Sequence, residues 1–476
     1  MALLTTVLLV LALDQKQAAD RQRELATSRG IAAAASSQLA QDPELSLLLG
    51  VEAAKAGHTI QASEALRAAL VQSRVRHVLR GHTKSVTPIA YSRDGRRVIT
   101  ASHDKTVRIW NARTGRTEHV IRTGAAVREM EVSPDGRRLV TASGPRATLW
   151  SVSTGRVIAG PPDTGSGDIS DLAFNRRGDR VAIGGTDHTV RVWRIGGRAR
   201  LVGSQGTAVR SAEFSPDGSR LVSAGADGAR IWAVRGPPGV PLHTLGSGLV
   251  LNASFSHDGR LALTAGADRN ARLWDTATGR QVRVLRGHRS ALTTAVFSPD
   301  DMVVATGSID QTGRLFDTDT GTTRAVLGSH TGTVRRIAFN KSGRRVATGS
   351  QDGTARVWST VSGRSPLVLR GHAGAVQLLA FSPDGKSLAT SSLDGTGRIW
   401  EVDPERTGSP LPASRGRRSL EAAFTDDGRR LAALDSDGSL TLRDGATGRV
   451  ERRVRVGSGG ALRASFSADG RRATLV

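Results

Sequence analysis

The sequence predicts an all-β chain built from repeated four-stranded antiparallel units, preceded by a short α-helical arm. Three observations predict it. All seven tryptophans close a β-branched or arginine-containing run, at Trp110, Trp150, Trp193, Trp232, Trp274, Trp358 and Trp400. With Phe316 and Arg443 in the equivalent places, successive members lie 39 to 43 residues apart. A second aromatic series (Tyr91, Phe174, Phe214, Phe255, Phe297, Phe339, Phe381, Phe424, Phe466) precedes turns such as SPDG or NKSG, and the two series account for all 17 aromatics. Inside one period, "VQLLAFS" runs into the turn "PDGK", then "SLATSS", a second turn "LDG" and the run ending "GRIW". Proline presets φ at the turn entry and glycine relieves its exit. A fourth short strand such as "SPLVLRG" at 365–371 completes the unit. Four strands in roughly 42 residues is the period of a propeller blade.

Polar residues inside the period narrow the reading. His82, Thr100, Asp104 and Trp110 recur as His330, Thr348, Asp352, Trp358 and as His372, Thr390, Asp394, Trp400. His288, Thr306 and Asp310 repeat the pattern with Phe316 in the last place, and the offsets are 18, 4 and 6 residues in all four sets. A Gly-His pair followed by Thr, Asp and Trp at these distances resembles the WD-repeat β-propellers, over residues 76–476. The resemblance implies that each set is a structural tetrad, a buried hydrogen-bond chain from indole through hydroxyl and imidazole to carboxylate. Units 2, 3, 4, 5 and 9 lack the histidine and are expected to lean more on packing.

From Val86 onward nine units are complete, and a tenth, "ALRASFSADGRRATLV", ends within its second strand. A half-blade would leave an unprotected edge. Seven blades is the ring favoured in the family, which implies blades 1–7 over residues 76–370. "RHVLRG" at 76–81 then serves as the outer strand of the seventh blade and locks the circle. Residues 371–476 are read as repeats 8–10 of an incomplete second propeller. A single larger ring of eight or nine blades is the rival reading.

Two segments precede the repeats. Residues 1–13 hold an apolar run of 12 at positions 2–13, short of the roughly 18 to 20 residues that span a bilayer. No basic residue comes before it and no small-residue cleavage site follows, which fits a secretory signal poorly. It is read as the tail of a membrane helix, which would associate the chain with a membrane, or as a buried helix. Residues 14–75 form a helical arm with no aromatics. Residues 14–40 read as a long helix, Asp42, Pro43 and Gly57 as cap, first residue and terminator of a second, and "QASEALRAALVQSR" as a third. The order of apolar run, helical arm and WD repeats is similar to the linker of bacterial STAND-type NTPases with propeller sensors. That resemblance implies a sensor part whose catalytic domain is absent from this chain.

The formal charge is +24, yet lysine occurs at only six positions and arginine supplies the rest. Such a skew follows from a GC-rich coding bias as readily as from binding. The chain has no cysteine, which excludes disulfides, thiolate metal sites and cysteine nucleophiles and fits a cytoplasmic setting. Phosphate-cradling, nucleophile-elbow and zinc-helix motifs are missing as well, so the chain is expected to be no enzyme, with neither cofactor nor metal. Recurring blade after blade, the His–Asp–Thr sets read as scaffold rather than as a hydrolytic triad.

What remains is a scaffold or sensor for protein partners, set in bacterial signalling or regulation. The candidate partner-binding rim is the arginine pair at the first turn of several units: Arg96, Arg97, Arg137, Arg138, Arg344, Arg345, Arg429 and Arg430. Such a rim suits an acidic protein, an anionic membrane or a nucleic acid. Nucleic acid is disfavoured, because no aromatic is left over for base stacking.

Overall fold

The computed structural model describes residues 2–39, 43–57, 59–72, 74–160, 167–361 and 366–403, together with the strands between 419 and 475; side chains are described mainly from 15 to 403. The chain divides into two compact units, Met1–Val402 and Asp403–Val476.

Three helices open the first unit: α1 (Ala2–Gln38), α2 (Pro43–Ala56) and α3 (Ile60–Gln72). Pro43 starts α2 at the position where a missing N–H is harmless. Asp42, read as its cap, lies outside the described residues. Thr59 caps α3 by accepting the Ala62 N–H at 3.2 Å. The helices pack through Ala32, Ala35, Ala53, Ala62 and Ala65, small side chains that allow close approach. The buried Ser28 hydroxyl, 2.8 Å from the Ala53 carbonyl and 2.7 Å from that of Gly57, ties α1 to the others. Among the described residues no helix is long and apolar enough to cross a membrane. The side chains of residues 1–14, on which the membrane reading of 2–13 rests, lie outside the described residues.

With β1 (Val75–Leu79) counted in the last of them, the first unit holds eight four-stranded antiparallel sheets. We number these blades 1 to 8 and letter their strands a to d from the axis outward. In blade 1 the strands are Val86–Tyr91, Arg97–Ser102, Thr106–Asn111 and Thr117–Arg122. Strand a of each blade touches strand a of the next, and that of blade 8 (Val376–Phe381) touches that of blade 1. The circle is closed.

The seams between blades explain where the aromatics went. Val222, Ala224, Ala229 and Ile231 of blade 4 pack against Val250, Ala253, Phe255, Ala262 and Trp274 of blade 5, and every other seam has the same character. Large rings fill the wedge between sheets that splay outward, while alanine and valine line the facing side. Room is made where needed: a Cβ on Gly203, in strand d of blade 3, would lie 2.2 Å from the Trp232 ring.

Ring closure corrects the seven-bladed expectation. β1 does supply an outer strand, but it completes blade 8, pairing with that blade's strand c so that Leu79 faces Gly397 and Val75 faces Trp400. Leu79 is fully buried, in the place that Leu245, Leu285, Leu327 and Leu369 take in other outer strands. Arg76 adds an ion pair to Glu401 at 3.2 Å and a hydrogen bond to Ser387 at 3.1 Å. The physical reason for the miscount is that all seams bury similar side chains. Nothing within a single repeat states how many fit around the axis.

The second unit contains a four-stranded sheet over Ser419–Phe424, Arg430–Asp435, Ser439–Asp444 and Val450–Arg455, and a strand pair, Ala464–Phe466 with Ala473–Leu475.

Candidate functional site: the histidine face and the central channel

The d–a loops and b–c turns lie at one end of the blades, here the upper face, and the a–b and c–d turns at the other. On the upper face of blade 1 the Trp110 indole N–H donates to Thr100 Oγ1 at 2.7 Å. His82 Nε2 lies 2.9 Å from the same oxygen, and His82 Nδ1 lies 2.9 Å from Asp104 Oδ2. The corresponding distances are 3.1, 2.8 and 2.8 Å for Trp358, Thr348, His330 and Asp352 in blade 7. They are 2.7, 2.8 and 2.8 Å for Trp400, Thr390, His372 and Asp394 in blade 8. Blade 6 keeps His288 at 2.7 Å from Thr306 and 2.9 Å from Asp310, with Phe316 in place of the indole.

A neutral imidazole fits this chain: Nδ1–H donates to the carboxylate, and Nε2 accepts from the threonine hydroxyl. Burial lowers the pKa of His82 and His288, outweighing the pull of Asp104 and Asp310. Burial would raise Asp310 and Asp394, but hydrogen bonds from the histidines and from Thr312 and Thr396 hold both down to about 2. With Thr100, Thr348 and Thr390 at 0% exposure, no hydroxyl is open to a substrate. The arrangement can brace a blade; it offers no nucleophile. Among the described residues no group of three or more histidines and carboxylates is placed to hold a metal.

Because blade 6 accepts a phenyl ring where blade 7 has an indole, Trp358→Phe is expected to fold. It loses one hydrogen bond and leaves a small void, a cost of about 1 to 2 kcal/mol. A urea midpoint equal to that of the parent chain would show that the Trp358–Thr348 bond contributes nothing.

In the blades without histidine, the aspartate of the b–c turn changes partner. Asp187 pairs with Arg191 at 2.8 Å in blade 3 and Asp227 with Arg230 at 2.7 Å in blade 4, while Asp268 pairs with Arg272 in blade 5. In blade 4, Gln205 also donates to Asp227 at 3.2 Å. These blades are therefore also stitched by ion pairs, where the sequence suggested only a greater reliance on packing. The signal was present, as an arginine two residues before each tryptophan, but its partner could not be read from one dimension.

On the opposite face each first-turn arginine pair divides. Arg97 is bound to Glu118 at 2.6 Å, Arg138 to Asp135 at 3.3 Å, and Arg345 to the Val402 carbonyl of blade 8 at 2.5 Å. Arg96, Arg137 and Arg344 are exposed. The Arg429 residue and the side chain of Arg430 lie outside the described residues.

The ring axis is a polar channel that sequence reasoning missed. Its upper mouth, a cavity of about 560 Å3, is lined by the second residue of strand a from seven blades, among them Arg210 and Arg335, and by Arg128 and Glu129 at the start of strand a in blade 2. Toward the other face a cavity of about 740 Å3 is lined by Glu131, Asp171 and Glu213 of blades 2, 3 and 4. These carboxylates also stitch seams. Asp171 accepts the Ala212 N–H of the next blade at 2.7 Å, and Glu131 and Glu213 accept those of Phe174 and Phe255. Ser211 and Asn252 continue the series by accepting the N–H groups of Ala253 at 3.2 Å and Ala295 at 3.4 Å.

With Glu129 of the upper mouth, four acids line the channel, each half-buried. Burial raises each pKa: Glu129 and Glu213 to about 8, Asp171 to about 6, and Glu131 well above the usual range. Arg336 on blade 7 opposes the rise at Glu129 and Asp171. For Glu131 and Glu213 the sequence signal was a carboxylate at a strand-a position that is otherwise small or apolar; the position of Glu129 and Asp171 is polar in other blades too, as Asn252, Thr294 and Arg336.

A closed ring of eight four-stranded antiparallel blades defines the first unit as a β-propeller. The chain belongs to the family described as WD domain, G-beta repeat, whose model matches residues 73–111, 157–194, 198–232, 239–275, 279–317, 321–359 and 363–401, more than half its length. The blade passed over is blade 2, which lacks the histidine, the aspartate and the second-series aromatic. The chain is 31% identical over 159 residues to a Caenorhabditis elegans protein, transcription initiation factor TFIID subunit 5, covering 32% of this chain and 24% of that one. It is 26% identical over 277 residues to the Nicotiana tabacum guanine nucleotide-binding protein subunit beta-1, covering 44% of this chain and 73% of that one. Among solved structures, the computationally designed Ika8 protein matches with a TM-score of 0.62 at 24% identity, over 69% of this chain and all of that one, a likeness of fold. A protein-interaction role fits this family.

Proposed function

We propose that the chain is a non-catalytic platform that holds protein partners on a rigid propeller, in the cytoplasm and in a bacterial signalling or regulatory setting. The observation that carries it is the state of the reactive side chains. Histidines, aspartates and threonines that could have formed a catalytic site are consumed in bonds that brace the blades, which leaves variable loops on a stiff frame. Two matched relatives are themselves named as subunits. The helical arm before the ring supports the finer reading of a sensor part of a STAND-type NTPase.

Affinity capture with the full chain, read by mass spectrometry at two salt concentrations, tests this reading. Specific partners retained at the higher salt are expected, and capture of none at either salt would sink it. The rim is tested alongside. Arg96→Glu, Arg137→Glu and Arg344→Glu change only exposed side chains, so each costs within about 0.5 kcal/mol. The triple variant is expected to capture the same partners. Loss of capture with an intact fold would instead assign the lower rim to binding.

A further inference from the structure

The arginines of strand c on the upper face fall into two arcs. On blades 3, 4 and 5 each is paired with its own aspartate. On blades 6, 7 and 1 a histidine has taken that aspartate. Among the described residues Arg314, Arg356 and Arg108 make no ion pair, and the Nε of each is buried without an acceptor. These blades are consecutive around the closed ring, with blade 8 between 7 and 1. Each arc holds one aspartate per arginine, so formal charge does not distinguish them. The difference lies in where the carboxylate lone pairs are directed.

Further cations gather on the same arc. Arg286 and Arg289 flank His288 and are exposed. Arg370, two residues before His372, is half-buried; burial lowers the pKa of Arg356, the charge of Asp352 opposes this, and the charge of Arg370 adds to the lowering. Arg356 itself is only 6% exposed. An Nε held this deep without an acceptor is costly, and Arg370 adds repulsion; a carboxylate arriving at Arg370 relieves that repulsion.

We propose that the upper face of blades 6, 7, 8 and 1 is the docking surface for an acidic protein segment, whose carboxylates pair with Arg108, Arg314 and Arg370 and offset the charge of Arg356. This rests on the reading of the chain as a protein-binding propeller. Planar, bidentate pairing suits carboxylates to arginine, and the contact weakens with salt.

The test titrates the full chain against a fluorescein-labelled glutamate 20-mer at low and near-physiological salt. Binding is expected to fall at least tenfold in the Arg108→Gln, Arg314→Gln, Arg370→Gln variant. The Arg191→Gln, Arg230→Gln, Arg272→Gln variant removes the same formal charge from the other arc and is expected to bind within twofold of the parent. If the first triple variant does not fold, Arg286→Gln with Arg289→Gln, both exposed, is expected to weaken binding at least threefold. Equal losses in the two triple variants, an unchanged affinity in the arc variants, or no binding by the parent would each overturn the proposal. So would a single-stranded oligonucleotide of equal charge binding more tightly than the peptide. Partner capture that persists in the arc variants would overturn the acidic arc while leaving the platform reading intact.

Discussion

Leu79→Asp is expected to open the ring. Leu79 is fully buried at the closure, facing Gly397 across the β1 pairing. Leu→Ala at such a site costs about 2 to 5 kcal/mol through lost burial and the void left behind. Aspartate adds the penalty of a charge with no partner. A typical domain is stable by only about 5 to 15 kcal/mol, so the cooperative fold should be lost or its melting point fall by many degrees. The effect should also be global, because freeing β1 exposes strand c of blade 8 as an edge and releases the seam with blade 1. Arg76→Ala makes the contrast. Its ion pair with Glu401 has an arginine side chain 45% exposed, and such pairs contribute about 0 to 1 kcal/mol. Calorimetry and limited proteolysis check both. A Leu79→Asp protein that melts within a degree of the parent would mean that β1 does not close the ring.

Glu129→Gln with Glu213→Gln is expected to stabilise the protein at alkaline pH and to leave it nearly unchanged at pH 5. Both carboxyls have folded pKa values of about 8, raised by burial, so between pH 5 and 8 the folded chain holds protons that the unfolded chain has released. Their stabilising effect is whole below the unfolded values near 4 and is lost as pH climbs through the folded ones. Asp171, raised to about 6, and Glu131 act in the same direction. Both side chains are partly exposed, and the resulting solvent screening reduces the effect to about 1 to 2 kcal/mol for each substitution at pH 8.5. Two upper-face histidines act in the opposite direction. Burial lowers His82 and His288, so their contribution is lost as pH falls below about 6.5. The double variant should therefore have a shallower alkaline limb, carried by Asp171 and Glu131 alone, and an unchanged acid one. Urea denaturation at pH 5, 6.5 and 8.5 measures this; parallel curves for the two proteins would show the channel carboxyls to be ionised throughout.

What the sequence determined by itself was local. The 39-to-43-residue spacing, the two aromatic series and the Ser-x-Asp-Gly turns follow from interactions that begin and end within a blade. Ser92 shows why: its hydroxyl donates to Asp94 and accepts the Arg97 N–H within six residues of chain. His82, Thr100, Asp104 and Trp110 were legible as a set because their offsets recur, and β1 as a closing strand because "VLRGH" at 78–82 repeats at 284–288 and 368–372. The number of blades was not, and neither was anything that depends on it. A seam sets a small rotation between two sheets, and only the sum of all the seams decides when strand c of a blade meets β1. The acid-lined channel, with Glu131, Asp171 and Glu213 from three separate blades, exists only once that sum reaches a full turn. The division of the upper face is tertiary for the same reason: Asp310 and Asp268 look alike in sequence, and the histidine brought in by the preceding loop decides whether the neighbouring arginine keeps its carboxylate.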